Sequence, residues 1–453
     1  MSENNMTSSN TSNAPVWPKP AIAWWAVAVL VLAFIFSIAD RIIISLLVDP
    51  IKADLNLDDT DMGLMMGLAF AIFYALMGLP IGRIADKHSR RMIIGVGIFL
   101  WSIMTALCGL AKNFTQLFLA RVGVGVGEAT LSPAAYSMIA DMFPREKLGR
   151  ALAVYQSGAF FGVGLALIFG GLAIRFAATA DDVSLPLVGV VAPWQLAFIA
   201  IGLPGVLVAA LMFTVREPIR QGVAPSGAEE ISLKQTLAYV LKGWRVYLAH
   251  YTGFALLALP MTTLATWVPA YFMRVVGLTP PETGMKLGLI VLIFSPIGVI
   301  TGGWLADTLL KKGYNDAALR VGVAAAIFMI PFSIFATTVS DPATALLLAC
   351  PFAFGASISM GLAPTALQLV TPNRLRAQVS AAWMLFLNLI TAGLGPTAVG
   401  WITEEIFQDP MAVGQSIASV NTVSVILGGI ILLITWKPFR EAVAKEEAAQ
   451  SAG

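Results

Sequence analysis

Three ionisable side chains interrupt apolar sequence well away from any loop: Asp40, Arg121 and Glu128. Charge inside a bilayer is costly and marks a functional site by default. A guanidinium keeps its proton in any such site, whereas a carboxyl exchanges one with an affinity that burial and a nearby cation can tune. The trio therefore has the composition of a proton relay. Arg121 and Glu128 are seven residues apart, which puts them on one helical face about 10 Å from each other. Asp40 falls past the middle of an outward-running segment and Arg121 early in an inward-running one, so the two share a depth. That spacing predicts an ion pair between Asp40 and Arg121, with Glu128 near the midplane and without a partner. A static pair that only fixes helix packing is the competing reading for Asp40 with Arg121.

The elements that must position these groups are membrane spans. Only 12% of the residues are Asp, Glu, Lys or Arg and 58% are apolar, against roughly a quarter charged in soluble domains. About twelve apolar stretches are long enough to cross a ~30 Å core. They lie near residues 22–47, 62–83, 92–111, 115–143, 150–176, 194–215, 245–273, 283–306, 319–338, 343–369, 377–404 and 413–436. Cations gather in alternate loops: Arg83, Lys87, Arg90 and Arg91, then Arg145, Lys147 and Arg150, then Lys311, Lys312 and Arg320, then Arg374 and Arg376. The opposite loops hold Asp49, Asp54, Asp58, Asp59 and Asp61, then Asp181 and Asp182, then Glu404, Glu405 and Asp409. By the positive-inside rule both termini face the cytoplasm, in an inner cell membrane. The net charge of +2 offers no basic face for nucleic acid.

The spans divide into halves. Residues 1–20 read as a disordered tail, 21–215 as a six-helix bundle, 216–244 as a linker, 245–436 as a second bundle and 437–453 as a tail. The linker carries Pro218, Gly222, Pro225 and Gly227. After a capping box from Ser232 to Gln235 comes an amphipathic stretch in which Leu233, Leu237, Val240 and Leu241 share a face. Gly82 with Asp86 and Arg90 recurs as Gly303 with Asp307 and Lys311, at the same spacing in each half. Duplicated halves place a substrate site at their interface, near the bilayer midplane. Gly123 and Gly127 lie within an apolar helix with no preceding strand, so they make a small-residue packing face rather than a nucleotide loop.

The stretch from Gly82 through Asp86, Lys87, Arg90 and Arg91 resembles the signature loop of the major facilitator superfamily. Lys87 stands for its usual Arg and Ser89 for its second Gly. The resemblance implies a twelve-helix, all-α fold of two pseudo-symmetric bundles, working by alternating access. It also implies that Asp86 meets the start of the eleventh span near Arg376 and, with Asp307 in the other half, latches one conformation. Asp40 with Arg41, the basic loop, Arg121 through Glu128 and Ala140-Asp141 before Phe143 together resemble the Spinster family of lipid transporters, most clearly over residues 30–175. That likeness implies transport and proton coupling through the matching Asp40, Arg121 and Glu128.

Candidate walls of a substrate cavity are Met66, Tyr155, Phe160, His250, Trp267, Ser357, Trp383 and Asn388. With few charges among them, they suit an amphipathic solute with one anionic or polar head. No His/Cys/Asp/Glu cluster has metal-ligand spacing and no Ser/His/Asp set is arguable, so we expect neither metal nor cofactor, and no enzyme. The expected protein is a monomeric, proton-coupled transporter in contact with membrane lipids.

Overall fold

The computed structural model describes residues 17–179, 184–185, 189–220, 233–372 and 375–451. The start of the expected capping box at Ser232, residues 221–232 of the linker and most of the N-terminal tail lie outside the described residues. The first half holds α1 (Pro20–Ile42, extended by a tight turn to Leu46), α2 (Asp59–Met66 and Leu68–Lys87), α3 (Arg90–Cys108), α4 (Phe114–Glu128 and Leu131–Met142), α5 (Arg145–Thr179) and α6 (Pro193–Met212). A short linker helix, Leu233–Lys242, precedes the second half. There follow α7 (Trp244–Thr266 and Val268–Arg274), α8 (Pro280–Lys311), α9 (Ala317–Phe335), α10 (Pro342–Ile358, continuing to Leu369), α11 (Arg376–Asn388, continuing to Phe407) and α12 (Val413–Ser451). In hydrocarbon only structures that satisfy their own backbone hydrogen bonds are stable, so apolar sequence of this length becomes helix.

Among the described residues, eleven helices are each long and apolar enough to cross a membrane. The twelfth crossing is α4, expected as one continuous span over 115–143, which instead is two segments of 15 and 12 residues. Each is too short to cross alone. Helix starts follow local chemistry. Asn113 accepts from Gln116 N at 3.0 Å, Asp58 from Asp61 N at 2.7 Å and Asp341 from Thr344 N at 2.8 Å. Each supplies an acceptor to a first-turn N–H that has none within the helix.

We call the end bearing Asp49, Asp59 and Glu404 the acidic end, and the end bearing Arg90, Arg91, Lys311 and Lys312 the basic end. The halves are joined at the acidic end. There α2 breaks at Gly67, facing the stretch Leu389–Leu394 where α11 opens into a wider, π-type turn. A side chain at Gly67 would place its Cβ 2.5 Å from the Gly393 carbonyl, so only glycine permits this approach. The Thr397 hydroxyl, 3.2 Å away, donates to Gly63 O across the same contact. On the other flank α5 packs on α8, where a Cβ on Gly284 would run into the Leu167 carbonyl. Close approach of small residues is how helices associate when lipid is as apolar as leucine. At the basic end a Cβ on Gly82 or Gly303 would meet nothing within 4 Å. Neither glycine is thus a point of close helix contact in this conformation.

Gly284→Val should separate α5 from α8 and unseal the acidic end. In a background without Cys108 and Cys350, a cysteine at Thr397 should then react with a membrane-impermeant maleimide several-fold faster than when Gly284 is present. Equal rates would show that this contact does not hold the seal.

Candidate coupling site and acidic-end gate

The α4 break puts Glu128 at the last residue of a helical segment, inside the bundle. Thr130 turns back to donate to Gly127 O at 2.8 Å, and it fits because Gly97 on α3 has no side chain to collide with its hydroxyl. Gly127 abuts Trp101 and Gly123 abuts Met104, both on α3, while Gly125 abuts the Phe70 carbonyl on α2. The glycine run thus lets α4 approach two helices at once.

Asp40, Arg121 and Glu128 are all buried, and the structure brings them together with a fourth group, Arg41. The expected Asp40–Arg121 carboxylate pair is replaced by a different contact: Arg121 Nη1 donates to the main-chain carbonyl of Asp40 at 2.8 Å. The carboxyl of Asp40 faces Glu128, Thr105, Arg121 and Arg41. Glu128, expected without a partner, receives Arg41 Nε at 2.6 Å and the Ser37 hydroxyl at 2.6 Å, both on Oε2. The reason is angular. Consecutive helical residues point about 100° apart, so Asp40 turns toward α3 and α4 while Arg41 reaches along α1 to Glu128. Asp40 Oδ1, Glu128 Oε1 and Arg121 Nε have no hydrogen-bond partner among the described residues.

Arg41 lies against the rings of Phe70 and Tyr74, at 4.3 and 5.0 Å from their centroids. Its side chain is 23% exposed where that of Glu128 is 0%. Tyr74 is two turns after Gly67, on the face that α2 presents to α11. Arg41 therefore borders the space between the halves, on the basic side of the Gly67 contact. Sequence reasoning gave Arg41 no role; its position four residues after Ser37, on the same helical face, was the available signal.

A second ionic assembly, also missed, ties the halves at the acidic end. Arg274, closing α7, donates to both oxygens of Asp59 at 2.8 Å and to Asp49 Oδ1 at 2.8 Å. Lys52 adds a contact to Asp59 at 2.6 Å, and Glu404 accepts from Asp59 N at 3.2 Å. The side chains of Arg274 and Asp59 are 6% and 0% exposed. A planar fork on a buried carboxylate is among the stronger polar contacts available. Five hydrogen bonds join the two halves at this end, from Arg274 to Asp49 and Asp59, from Asp59 N to Glu404 and from Thr397 to Gly63 O. Acidic residues taken from sequence only as topological markers are thus half of a gate.

Most of the proposed cavity walls are packed away. Met66, Tyr155, Trp267, His250, Ser357 and Trp383 are buried. Trp267 donates to Pro396 O at 2.8 Å beside the gate, and His250 Nε2 donates to Ala363 O at 2.8 Å while its ring meets Trp383 at 5.2 Å. Tyr155 stacks on Phe34 at 5.1 Å, and Ser357 bonds Ala353 O at 2.9 Å. Aromatic side chains inside a half gain more from ring contacts and one satisfied polar tip than from facing a cavity. Asn388, half-buried, bonds Met384 O of its own helix at 2.9 Å. The side chain of Phe160 lies outside the described set.

The model of the major facilitator superfamily matches residues 29–396. This chain belongs to that superfamily. A superfamily efflux pump from Mycolicibacterium smegmatis is 30% identical over 430 residues, covering 94% of this chain and 96% of that one. The hexuronate transporter of Bacillus subtilis is 26% identical, over 88% of this chain and 94% of its own. A solved bacterial homologue of the human lysosomal transporter Spinster, in an inward-facing and unoccupied conformation, superposes with a TM-score of 0.75 at 25% identity, covering 94% of this chain and 98% of that chain. The chain is a membrane-spanning, Spinster-like transporter of the superfamily.

The superfamily's signature loop makes its described contacts within the first half. Arg90, buried, bonds Asp141, donates to Glu217 Oε1 at 2.9 Å and to Ser137 Oγ at 2.8 Å, and reaches Pro218 O at 3.1 Å. Arg91 N donates to Glu217 Oε2 at 2.8 Å. Lys87 and Asp307 are exposed, the Asp86 side chain lies outside the described set, and Arg376 Nε turns to Thr371 O at 3.0 Å. Arg90 of this loop, in this conformation, clamps α3 against α4 and the segment after α6.

Burial raises the Glu217 carboxyl's pKa, but the Arg91 N–H, the Arg90 guanidinium and the Ser89 hydroxyl outweigh it and hold the pKa below the usual range. Its stabilising contribution is then complete above the unfolded value, about pH 4.3, and is lost as pH falls through the lower folded value. Glu217→Gln should lower the melting temperature at pH 7, with the gap to the native protein closing below about pH 4. A gap independent of pH would remove the charge from this account. Arg274→Met leaves Asp59 buried with Lys52 alone, which should weaken the seal by roughly tenfold or more. Labelling of a cysteine at Thr397 would read it, and an unchanged rate would show that the gate is not ionic.

Proposed function

We propose that this protein is a proton-coupled secondary transporter of a small amphipathic solute with one anionic or polar head. The observation that supports this most is the set of three buried groups, Asp40, Arg121 and Glu128, joined by the partly exposed Arg41 at the edge of the space between the halves. A passive route needs no such set, and burying it is costly unless it is used.

In this reading the basic end faces the cytoplasm, the cell membrane holds the protein as a monomer, and the conformation is open inward. The likeness to an inward-facing homologue and the acidic-end seal support that orientation. An anionic head entering from the cytoplasm meets Arg41 first, since it is the exposed member of the cluster. Competition for Arg41 would loosen its hold on Glu128, whose carboxyl could then take a proton. Charge neutrality thereby links head and proton, because a bare carboxylate left behind in hydrocarbon is unfavourable. Asp40 would exchange with Glu128 through the groups they share. In the other conformation Asp86 and Asp307 would act at the closed basic end, as the superfamily's loop implies.

The resemblance to the Spinster family of lipid transporters favours a solute with an apolar body, whereas the hexuronate relative favours a small organic anion. Both readings share an anionic head near Arg41 and Arg121. Competition by lysophospholipid against competition by a sugar acid, in liposomes, decides between them.

Glu128→Gln keeps shape and removes the proton site. It should reduce gradient-driven accumulation to the level of empty liposomes while leaving counterflow without a gradient within about twofold. Accumulation that still follows pH in this variant would leave a passive facilitator as the correct reading. Arg121→Lys should weaken an anionic substrate more than a neutral one by about tenfold, because the planar two-point contact is lost while the charge remains.

A further inference from the structure

A groove outside both sites runs between α7 and α12 at the basic end. It encloses about 400 Å³ and is lined by Leu248, Ala249, Ile431 and Ile434, with Trp244 and Arg245 at its mouth. Three observations point to its occupant. The walls are mainly aliphatic, with Thr252 and Thr435 also lining them, which suits an acyl chain. The mouth carries Arg245, which has no carboxylate within ion-pair distance among the described residues and rests 5.8 Å from the Trp244 ring. Lys242, three residues before Arg245 in sequence, and Lys437, next to the lining residue Pro438, are exposed. Finally, Leu237 and Leu241, one turn apart on the linker helix, are 56% and 59% exposed, and Trp244, which opens α7 and lines the groove, is 54% exposed, one turn before exposed Leu248. An apolar strip flanked by cations and a tryptophan at a span's end sits at the level of lipid headgroups.

We infer that this groove binds an anionic diacyl phospholipid of the surrounding leaflet, with an acyl chain between α7 and α12 and the phosphate on Arg245. Lys242 places a second cation at the headgroup. The same lipid then touches the linker helix, whose buried Thr236 bonds Gln378 on α11. Its headgroup thus contacts the connection between the two halves.

The purified full-length protein, titrated in detergent with phosphatidylglycerol and phosphatidylcholine of equal chain length, would be weighed intact by native mass spectrometry. Phosphatidylglycerol should be retained preferentially. Arg245→Gln should weaken it roughly fivefold, about the effect of one surface cation, with phosphatidylcholine unchanged; Arg245→Lys should restore most of the loss. Ile434→Trp, which fills the groove, should weaken both lipids. Equal retention of the two lipids by the native protein would overturn the inference. So would a phosphatidylglycerol preference that survives Arg245→Gln but is lost in Arg41→Gln, since the lipid would then occupy the transport site.

Discussion

Glu128 carries its charge where no water reaches it, so it must meet the partly exposed Arg41, and much of the local architecture follows from that requirement. The α4 break, the glycine run that lets α4 approach α2 and α3, and the Ser37 hydroxyl all serve to bring a carboxylate within 2.6 Å of a guanidinium from another helix. The pair is also asymmetric, because its cation is exposed to the space between the halves and its anion is not. Such a pair responds to a ligand's charge without moving its own carboxyl into solvent.

Two different materials close the acidic end. Close glycine contacts between α2 and α11 and between α5 and α8 supply dispersion and geometry, and these fail sharply when a side chain is added. The Arg274 fork supplies direction, because it is satisfied only when α7 stands against the start of α2. At the basic end the described contacts of Arg90 run to Ser137, Asp141 and the segment after α6, on the first half's side. A rocking motion between bundles needs this contrast: strong ties inside each half, and ties between halves that can be made at one end at a time.

The fold was largely legible in the sequence because its signals are long. Apolar stretches of about twenty residues, alternating loop charge and a repeated Gly–Asp spacing each sum over many residues. The site was legible in its members but not in its pairing. Asp40, Arg121 and Glu128 announce themselves by charge in apolar surroundings, yet which groups touch depends on helix rotation, and Asp40 and Arg41 differ by one residue and about 100° of it. Arg274 and Asp59 stand at span ends, where charge is ordinary, so nothing local separates a gate from a topological marker. Trp267, His250 and Trp383 show the converse: a large polar-tipped ring in a span signals a buried partner as readily as a cavity wall, and sequence holds no term for which side it faces.

The central claim is that Asp40 and Glu128 are the groups that change protonation. Infrared difference spectra of the protein in lipid bilayers, taken between acidic and alkaline pH, read the protonated-carboxyl stretch directly. The account predicts a titrating band that loses one component in Glu128→Gln and another in Asp40→Asn. An identical band in the native protein and in both variants would contradict it.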